Sequence, residues 1–134
     1  MEPSELTSHH RLALWAADCA ERVIHLFEDM APNDHRPRAA IEATRAWVKG
    51  KLTVTDARRL AFQSHAAARE VENKAAIFAA RAAGHAAATA HVGTHAQHSA
   101  AYAIKAVAAA AEREAQECVE AERKWQLRRW GKLC

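Results

Sequence analysis

The sequence predicts an all-α fold, a compact bundle of five or six mostly antiparallel helices in one domain spanning residues 1–134. Half of the residues are hydrophobic, but only 6% are aromatic, and alanine supplies much of the apolar half. Alanine is the best helix former and among the smallest core residues, so we expect closely approaching helices. Four glycines and three prolines leave few positions for hairpin turns. The large core side chains are expected to be Trp15, Phe27, Trp47, Phe62, Phe78 and Tyr102.

Capping residues, breakers and apolar periodicity place the helix boundaries. Thr7 or Ser8 can cap the first helix, a proline opens the second, Gly50 ends it and Thr55 caps the third. The predicted helices span roughly residues 8–30, 36–49, 55–71, 74–91, 95–110 and 112–130.

Two boundaries are open at this stage. Residues 92–94 contain Gly93 followed by a threonine, which suits either a helix break or a glycine tolerated inside a packed helix, and we favour the break. Near Ala110 no breaker separates the last two segments, and typical helix lengths favour a bend there.

Charge and cysteine content restrict the class of protein. The net charge of +3, with nine histidines counted as neutral, is a weak basic excess that implies no particular anionic partner. Three scattered cysteines, Cys19, Cys118 and Cys134, indicate reduced thiols in the cytoplasm. We expect no signal peptide and no membrane association, because the sequence begins without a basic segment before an apolar one and contains no long apolar run.

A polar line runs along the alanine-rich segment 84–105. At helical spacing it contains Gly84, Ala88, His91, His95, His98, Tyr102 and Lys105. His91 and His95, four residues apart, could reach one transition-metal ion such as zinc, with His98 as a third ligand. However, no glutamate lies between them as in zinc peptidases, and ordinary hydrogen bonds to neighbours would also explain such histidines.

Catalysis is the weaker alternative to binding. Asp18 could hold His91 or His95 for proton transfer, and the adjacent Cys19 raises the idea of a Cys/His nucleophile. Cys19 lies on the apolar line of its helix, where cysteine is usually a small core residue. No nucleophile elbow, phosphate loop or dinucleotide fingerprint is present. We therefore predict no catalytic residue and no specific cofactor.

Charged residues elsewhere favour intramolecular roles. The basic and aromatic segment 123–130 follows Glu117, Glu120 and Glu122, which would repel phosphates, so we expect no nucleic-acid partner. Asp18 and Arg22 are spaced for an ion pair on the first helix. Arginines on the second helix are expected to pair with acidic residues of the same domain, although Asp18 could instead point toward the histidines.

Five stretches together resemble the small, all-helical immunity-five-like family of immunity proteins from bacterial polymorphic-toxin systems. They are LALWAADCAERV (12–23), DHRPRAAIEATRAWVKG (34–50), AARAAGHAAATAHVGTHA (79–96), SAAYAIKAV (99–107) and ERKWQLRRW (122–130). The resemblance implies a protein that binds and neutralises a cognate toxin. The family's motif positions would be Trp15, Asp18, Glu21, Arg22, Arg36, Pro37, Arg38, Arg45, Trp47, His91, His95, Tyr102 and Trp125. His9, His10 and His98 are additional histidines.

We therefore predict a non-enzymatic, cytoplasmic, immunity-like protein that sequesters a toxin protein or a toxic small molecule. The alternative is a protein with a histidine-lined pocket, which would bind metal or act as a small enzyme. The predicted ligand-binding residues are Trp15, Asp18, Arg22, Arg38, Arg45, His91, His95 and Tyr102. We expect the histidines and Tyr102 to face Asp18 and Arg38 across a polar interior, in a monomer or a homodimer.

Overall fold

The computed structural model describes residues 6–134, and over those residues it contains seven α-helices and no strand, which confirms the all-α class. The helices are α1 (Ser8–Glu21), α2 (Ile24–Glu28), α3 (Arg36–Val48), α4 (Val54–Ala68), α5 (Lys74–Ala88), α6 (His95–Ala110) and α7 (Ala115–Leu133). The prediction of five or six helices is wrong by at least one, because the segment expected to form one helix over 8–30 forms two.

The extra helix arises from an offset at Val23. Its backbone (φ −118°, ψ −2°) leaves the helical path, and its N–H donates to Ala20 O, three residues back rather than four. The offset lets Val23, Ile24 and Phe27 enter the core together, each at most 2% exposed. Burial of such side chains contributes roughly 1.5–3 kcal/mol each, more than the roughly 1 kcal/mol of an interrupted helical hydrogen bond.

The chain leaves the helical conformation at both positions that the sequence left open, residues 92–94 and the region after Ala110. Helix α5 ends at Ala88, and α6 begins at His95 after a turn that contains Gly93. Helix α6 ends at Ala110, and the chain re-enters α7 through Glu114, whose φ of 56° is left-handed. At the start of α4 the cap is Thr53, whose hydroxyl accepts from the Asp56 N–H, rather than the predicted Thr55.

Helix α5 lies at the centre and packs against α1, α2, α3, α4 and α6. Nine of its fifteen residues are buried, and all nine are alanine or glycine. Small side chains let the neighbouring helices approach closely. Of the six aromatic residues expected in the core, only Phe27 is fully buried, and Phe62 is 60% exposed.

Buried hydroxyl groups fix the helices around α5. Ser64 on α4 donates to Ala80 O at 2.8 Å. Ser99 on α6 lies within hydrogen-bond distance of both Ala82 O (2.8 Å) and Ala16 O (3.1 Å), which brings α1, α5 and α6 together. Each contact satisfies a buried polar group that would otherwise cost free energy. Across residues 6–134, none of the helices combines enough length with enough apolar character to cross a lipid bilayer.

Candidate functional site

Four histidines from three helices meet on one side of the bundle. His65 comes from α4, His85 from α5, and His95 and His98 from α6. The centroid of the His85 ring lies 4.9 Å from that of His65, 5.1 Å from that of His95 and 5.3 Å from that of His98. We call these four residues the imidazole cluster, and His85 is its centre.

Glycine at position 84 makes room for the cluster. A Cβ atom added to Gly84 would lie 2.7 Å from both Cε1 and Nε2 of His65, which is closer than real Cβ contacts. The His65 ring can therefore lie against the backbone of α5 only because residue 84 lacks a side chain. The glycine at the head of the polar line thus has a packing role, which explains why it is tolerated inside a helix despite its cost of about 1 kcal/mol relative to alanine.

Aromatic stacking and one hydrogen bond hold the cluster together. Nδ1 of His85 lies 2.9 Å from Nδ1 of His95, so one ring donates and the other accepts, and at least one of the two nitrogens is unprotonated. Tyr102 stacks on His85 with centroids 5.2 Å apart and planes within 10°. Phe78 and the ammonium group of Lys105 lie next to Tyr102. These contacts extend the aromatic surface along α6.

The surroundings of the cluster disfavour the charged form of His65, His85 and His95 by lowering their pKa values. Burial, followed by the neighbouring His65 and His95, lowers the pKa of His85 to about 4. Burial, followed by the positive charges of Arg81 and Arg69, lowers the pKa of His65. Burial, followed by His98 and His91, lowers the pKa of His95. Within the described part of the chain, no carboxylate contributes to these three pKa shifts. No negative charge therefore stabilises the protonated form of these imidazoles.

A cavity of about 190 Å³ opens beside the cluster, between α4, the end of α5 and the start of α6. Its walls are Arg58, Ala61, Phe62, His65, Ala88, His91 and His95. The Phe62 ring forms part of its rim, and the Arg58 guanidinium group lies 5.5 Å from the centroid of that ring, a cation–π distance. A shallow groove, which also includes Arg59, continues from Arg58 and Phe62 along the outer face of α4.

The predicted acidic and arginine residues form a separate ion-pair network. Asp18 accepts hydrogen bonds from Arg45 on α3 (2.9 Å) and Arg129 on α7 (2.7 Å), and its side chain is only 16% exposed. Arg45 also pairs with Glu21. Three helices are therefore joined through one partly buried carboxylate.

Other arginines complete this network. Arg22 binds both oxygens of Glu122 at 3.0 and 3.2 Å and lies 4.5 Å from the ring of Trp125. Arg38 binds both oxygens of Glu28 at 2.7 and 3.1 Å. Bidentate pairs of this kind are the stronger form of an arginine–carboxylate contact. Arg38 of the second predicted helix thus pairs with an acidic residue of the same domain, as predicted, whereas Arg22 pairs with Glu122 and not with the predicted Asp18.

The expected meeting of His91 and His95 with Asp18 and Arg38 does not occur. The alanine-rich helix α5 fills the centre of the bundle, and Ser99 of α6 hydrogen-bonds to Ala16 O of α1. His95 and Tyr102 instead gather around His85.

Trp15 belongs neither to the imidazole cluster nor to the ion-pair network. It donates from Nε1 to Gln126 O on α7 at 2.8 Å and packs edge-on against Trp130. This contact docks the C-terminal helix, as expected for a terminal segment that contributes tryptophans to the bundle.

The predicted metal set of His91, His95 and His98 is not formed. His91 lies in the turn after α5 and is exposed, so the four-residue spacing to His95 is not helical. Over residues 6–134, no group of three or more histidine, cysteine, aspartate or glutamate side chains is placed to hold a metal ion. Cys19 is no nucleophile candidate either, because burial and the nearby Asp18 carboxylate raise the pKa of its thiol far above the usual range.

Arg58, Phe62 and His85 are site residues that sequence reasoning did not select. Arg58, Phe62, His65 and Arg69 follow one another at helical spacing on α4, a mixture of cations and an aromatic ring on one face. That mixture is the sequence signal that marks the surface, and it is a weak one because single apolar residues are common on protein surfaces.

The comparisons with known proteins give one match. A protein-family model described as Imm-5 like putative immunity protein matches residues 2–133. No curated protein and no solved structure matches the chain.

Proposed function

The chain belongs to the Imm-5 like putative immunity protein family, and on that premise we propose that it binds a toxin protein and neutralises it by sequestration, without a catalysed reaction. The observation that carries the proposal is the family match, which extends over almost the entire sequence. The partner is a protein rather than a small molecule, because the candidate site is an exposed aromatic and cationic surface more than an enclosed pocket.

The composition of the outer face of α4 supports protein binding. Phe62 is 60% exposed, and Arg58 and Arg59 flank it. Aromatic residues and arginine are enriched at protein interfaces, and arginine is also enriched among the residues whose truncation weakens binding strongly. We assign the partner interface to this surface, formed by Arg58, Arg59, Phe62 and the adjoining mouth of the cavity, and call it the α4 surface.

The remaining polar groups are better suited to stability than to chemistry. The ion-pair network uses its arginines and carboxylates to join α1, α3 and α7, and in the imidazole cluster His85 and His95 stack and hydrogen-bond to each other. The free cysteines, Cys19, Cys118 and Cys134, suit a protein that acts in the cytoplasm.

Co-expression with candidate toxins tests this function. Each gene adjacent to that of this protein is expressed in a bacterial host, with and without the chain, and growth is recorded. We expect one neighbouring product to stop growth, the chain to restore it, and the two purified proteins to elute as one complex. Toxicity that the chain does not relieve, or relief without complex formation, would contradict sequestration.

A further inference from the structure

We propose that the cavity beside Phe62 accepts an acidic side chain of the partner protein, held by Arg58 and by the imidazoles of His65, His91 and His95. This inference rests on the proposed function and specifies the chemistry of its interface. The occupant is an aspartate or glutamate carboxylate that projects from the toxin surface.

The polar groups that line the cavity are hydrogen-bond donors or become so on protonation. Arg58 offers a guanidinium fork, and each neutral imidazole carries one N–H. None of the lining residues is acidic. The nearest acidic residue along α4, Asp56, has Arg59 at 3.7 Å. A carboxylate is the common protein group that accepts several such donors at once.

Arginines and imidazoles surround the cavity on each element that forms it, and the arginines carry the positive charge. Helix α4 contributes Arg58, His65 and Arg69, α5 contributes Arg81 and His85, and α6 with the preceding turn contributes His91, His95 and His98. The Nε atom of Arg81 is buried and, among the described residues, has no hydrogen-bond partner. The site therefore has an excess of donors and cations that one incoming anion would complement.

The cavity is large enough for a carboxylate group, and Phe62 can shield that group from water. Its volume of about 190 Å³ is several times the ~30 Å³ share of one water molecule in the liquid. Phe62 stands at the rim with more than half of its surface free to contact the partner. An apolar ring over the entrance would exclude water from the ion contact, which strengthens the attraction between opposite charges.

Occupation by a carboxylate would change the protonation of the site. In the free protein the pKa values of His65 and His95 are lowered, mainly by burial. A carboxylate beside these rings would favour their charged form, so binding would take up protons. Because the pKa values in the free protein lie below 6.5, the affinity should rise as the pH falls below about 7.

An NMR titration with small probes tests the inference without the toxin. The probes are N-acetylglutamate amide, its uncharged analogue N-acetylglutamine amide, and inorganic phosphate, and the readout is the imidazole ¹H–¹⁵N spectrum. We expect the glutamate probe alone to shift the resonances of His65, His91 and His95 and to raise the pKa of His65 by about one unit. An equal response to the glutamine probe or to phosphate would overturn the assignment.

Variants separate the cavity from the rest of the surface. Arg58→Gln should weaken binding of the glutamate probe at least about fivefold, whereas Arg123→Gln, an exposed arginine on α7, should leave it unchanged. Unaltered binding in Arg58→Gln would overturn the inference, and His65→Gln provides a second variant with the same expectation. A probe that binds while no neighbouring gene product does would contradict the proposed function only. A toxin that binds equally to Arg58→Gln would contradict the cavity only.

Discussion

The imidazole of His65 rests on the backbone of Gly84, so close that a Cβ at position 84 would lie 2.7 Å from two of its ring atoms. This contact joins α4 to the central helix at the site where α6 also arrives through His95. The position of the imidazole cluster therefore depends on one absent methyl group.

Replacement of Gly84 by alanine should destabilise the protein because of this contact. Alanine gains about 1 kcal/mol in helix propensity, but a forced displacement in a packed site costs about 1–3 kcal/mol. We expect a net loss of up to about 2 kcal/mol in the free energy of unfolding, measured by urea denaturation. In a His65→Ala background the same Gly84→Ala change should stabilise the protein. Stabilisation in both backgrounds would show that His65 does not restrict position 84.

The imidazole cluster should make stability depend on pH. Because the pKa of His85 is lowered from 6.5 to about 4, the folded protein binds fewer protons than the unfolded chain between those values, and stability falls as the pH falls through that window. With allowance for the partial exposure of the ring, the loss attributable to His85 is about 1–2 kcal/mol.

Urea denaturation across this pH range checks the effect, with His85→Gln as the comparison. The carboxylates of Glu28 and Asp34, whose pKa values are lowered by hydrogen bonds from Arg38 and Arg36, lose their contribution only near and below their ordinary pKa values of 4.5 and 3.8. The variant should therefore show a shallower decline between about pH 6.5 and about pH 5. An identical decline in the variant would exclude His85 as its source.

Asp18 should stabilise the fold rather than bind the partner. Its carboxylate is 16% exposed and accepts from Arg45 and Arg129, so Asp18→Asn should cost about 1–3 kcal/mol in the free energy of unfolding. Asp56→Asn is the matched control, because Asp56 is 46% exposed and lies 3.7 Å from Arg59, and it should cost less than about 0.5 kcal/mol. Equal effects of the two substitutions would contradict a structural role for the network.

Sequence patterns predict where the helices begin and end better than they predict which helices pack against each other. The start and end of α6 follow from the glycine and threonine before His95 and from the expected helix length, and both agree with the predicted 95–110. The offset at Val23 could not be seen, because the apolar spacing continues through it without interruption. Such an offset is decided by tertiary packing, which outweighs local propensity.

The same limit explains the site. Periodicity placed His95, His98 and Tyr102 on one face of one helix, and the structure gathers them around His85. It could not reveal which helix lies opposite that face, because the alanine-rich α5 is buried in several directions and has no single apolar stripe. The sequence therefore predicts the wrong partners for Asp18.

The affinity of the toxin for Phe62→Ala, measured by titration calorimetry, shows whether the α4 surface binds the toxin. Leu127→Ala on α7 is the control, because Leu127 is another large apolar residue and is even more exposed, at 70% against 60% for Phe62. If the α4 surface binds the toxin, Phe62→Ala should weaken binding at least about tenfold, whereas Leu127→Ala should leave the affinity unchanged. A toxin that binds Phe62→Ala as tightly as the unaltered protein would contradict the assignment of the interface to this surface.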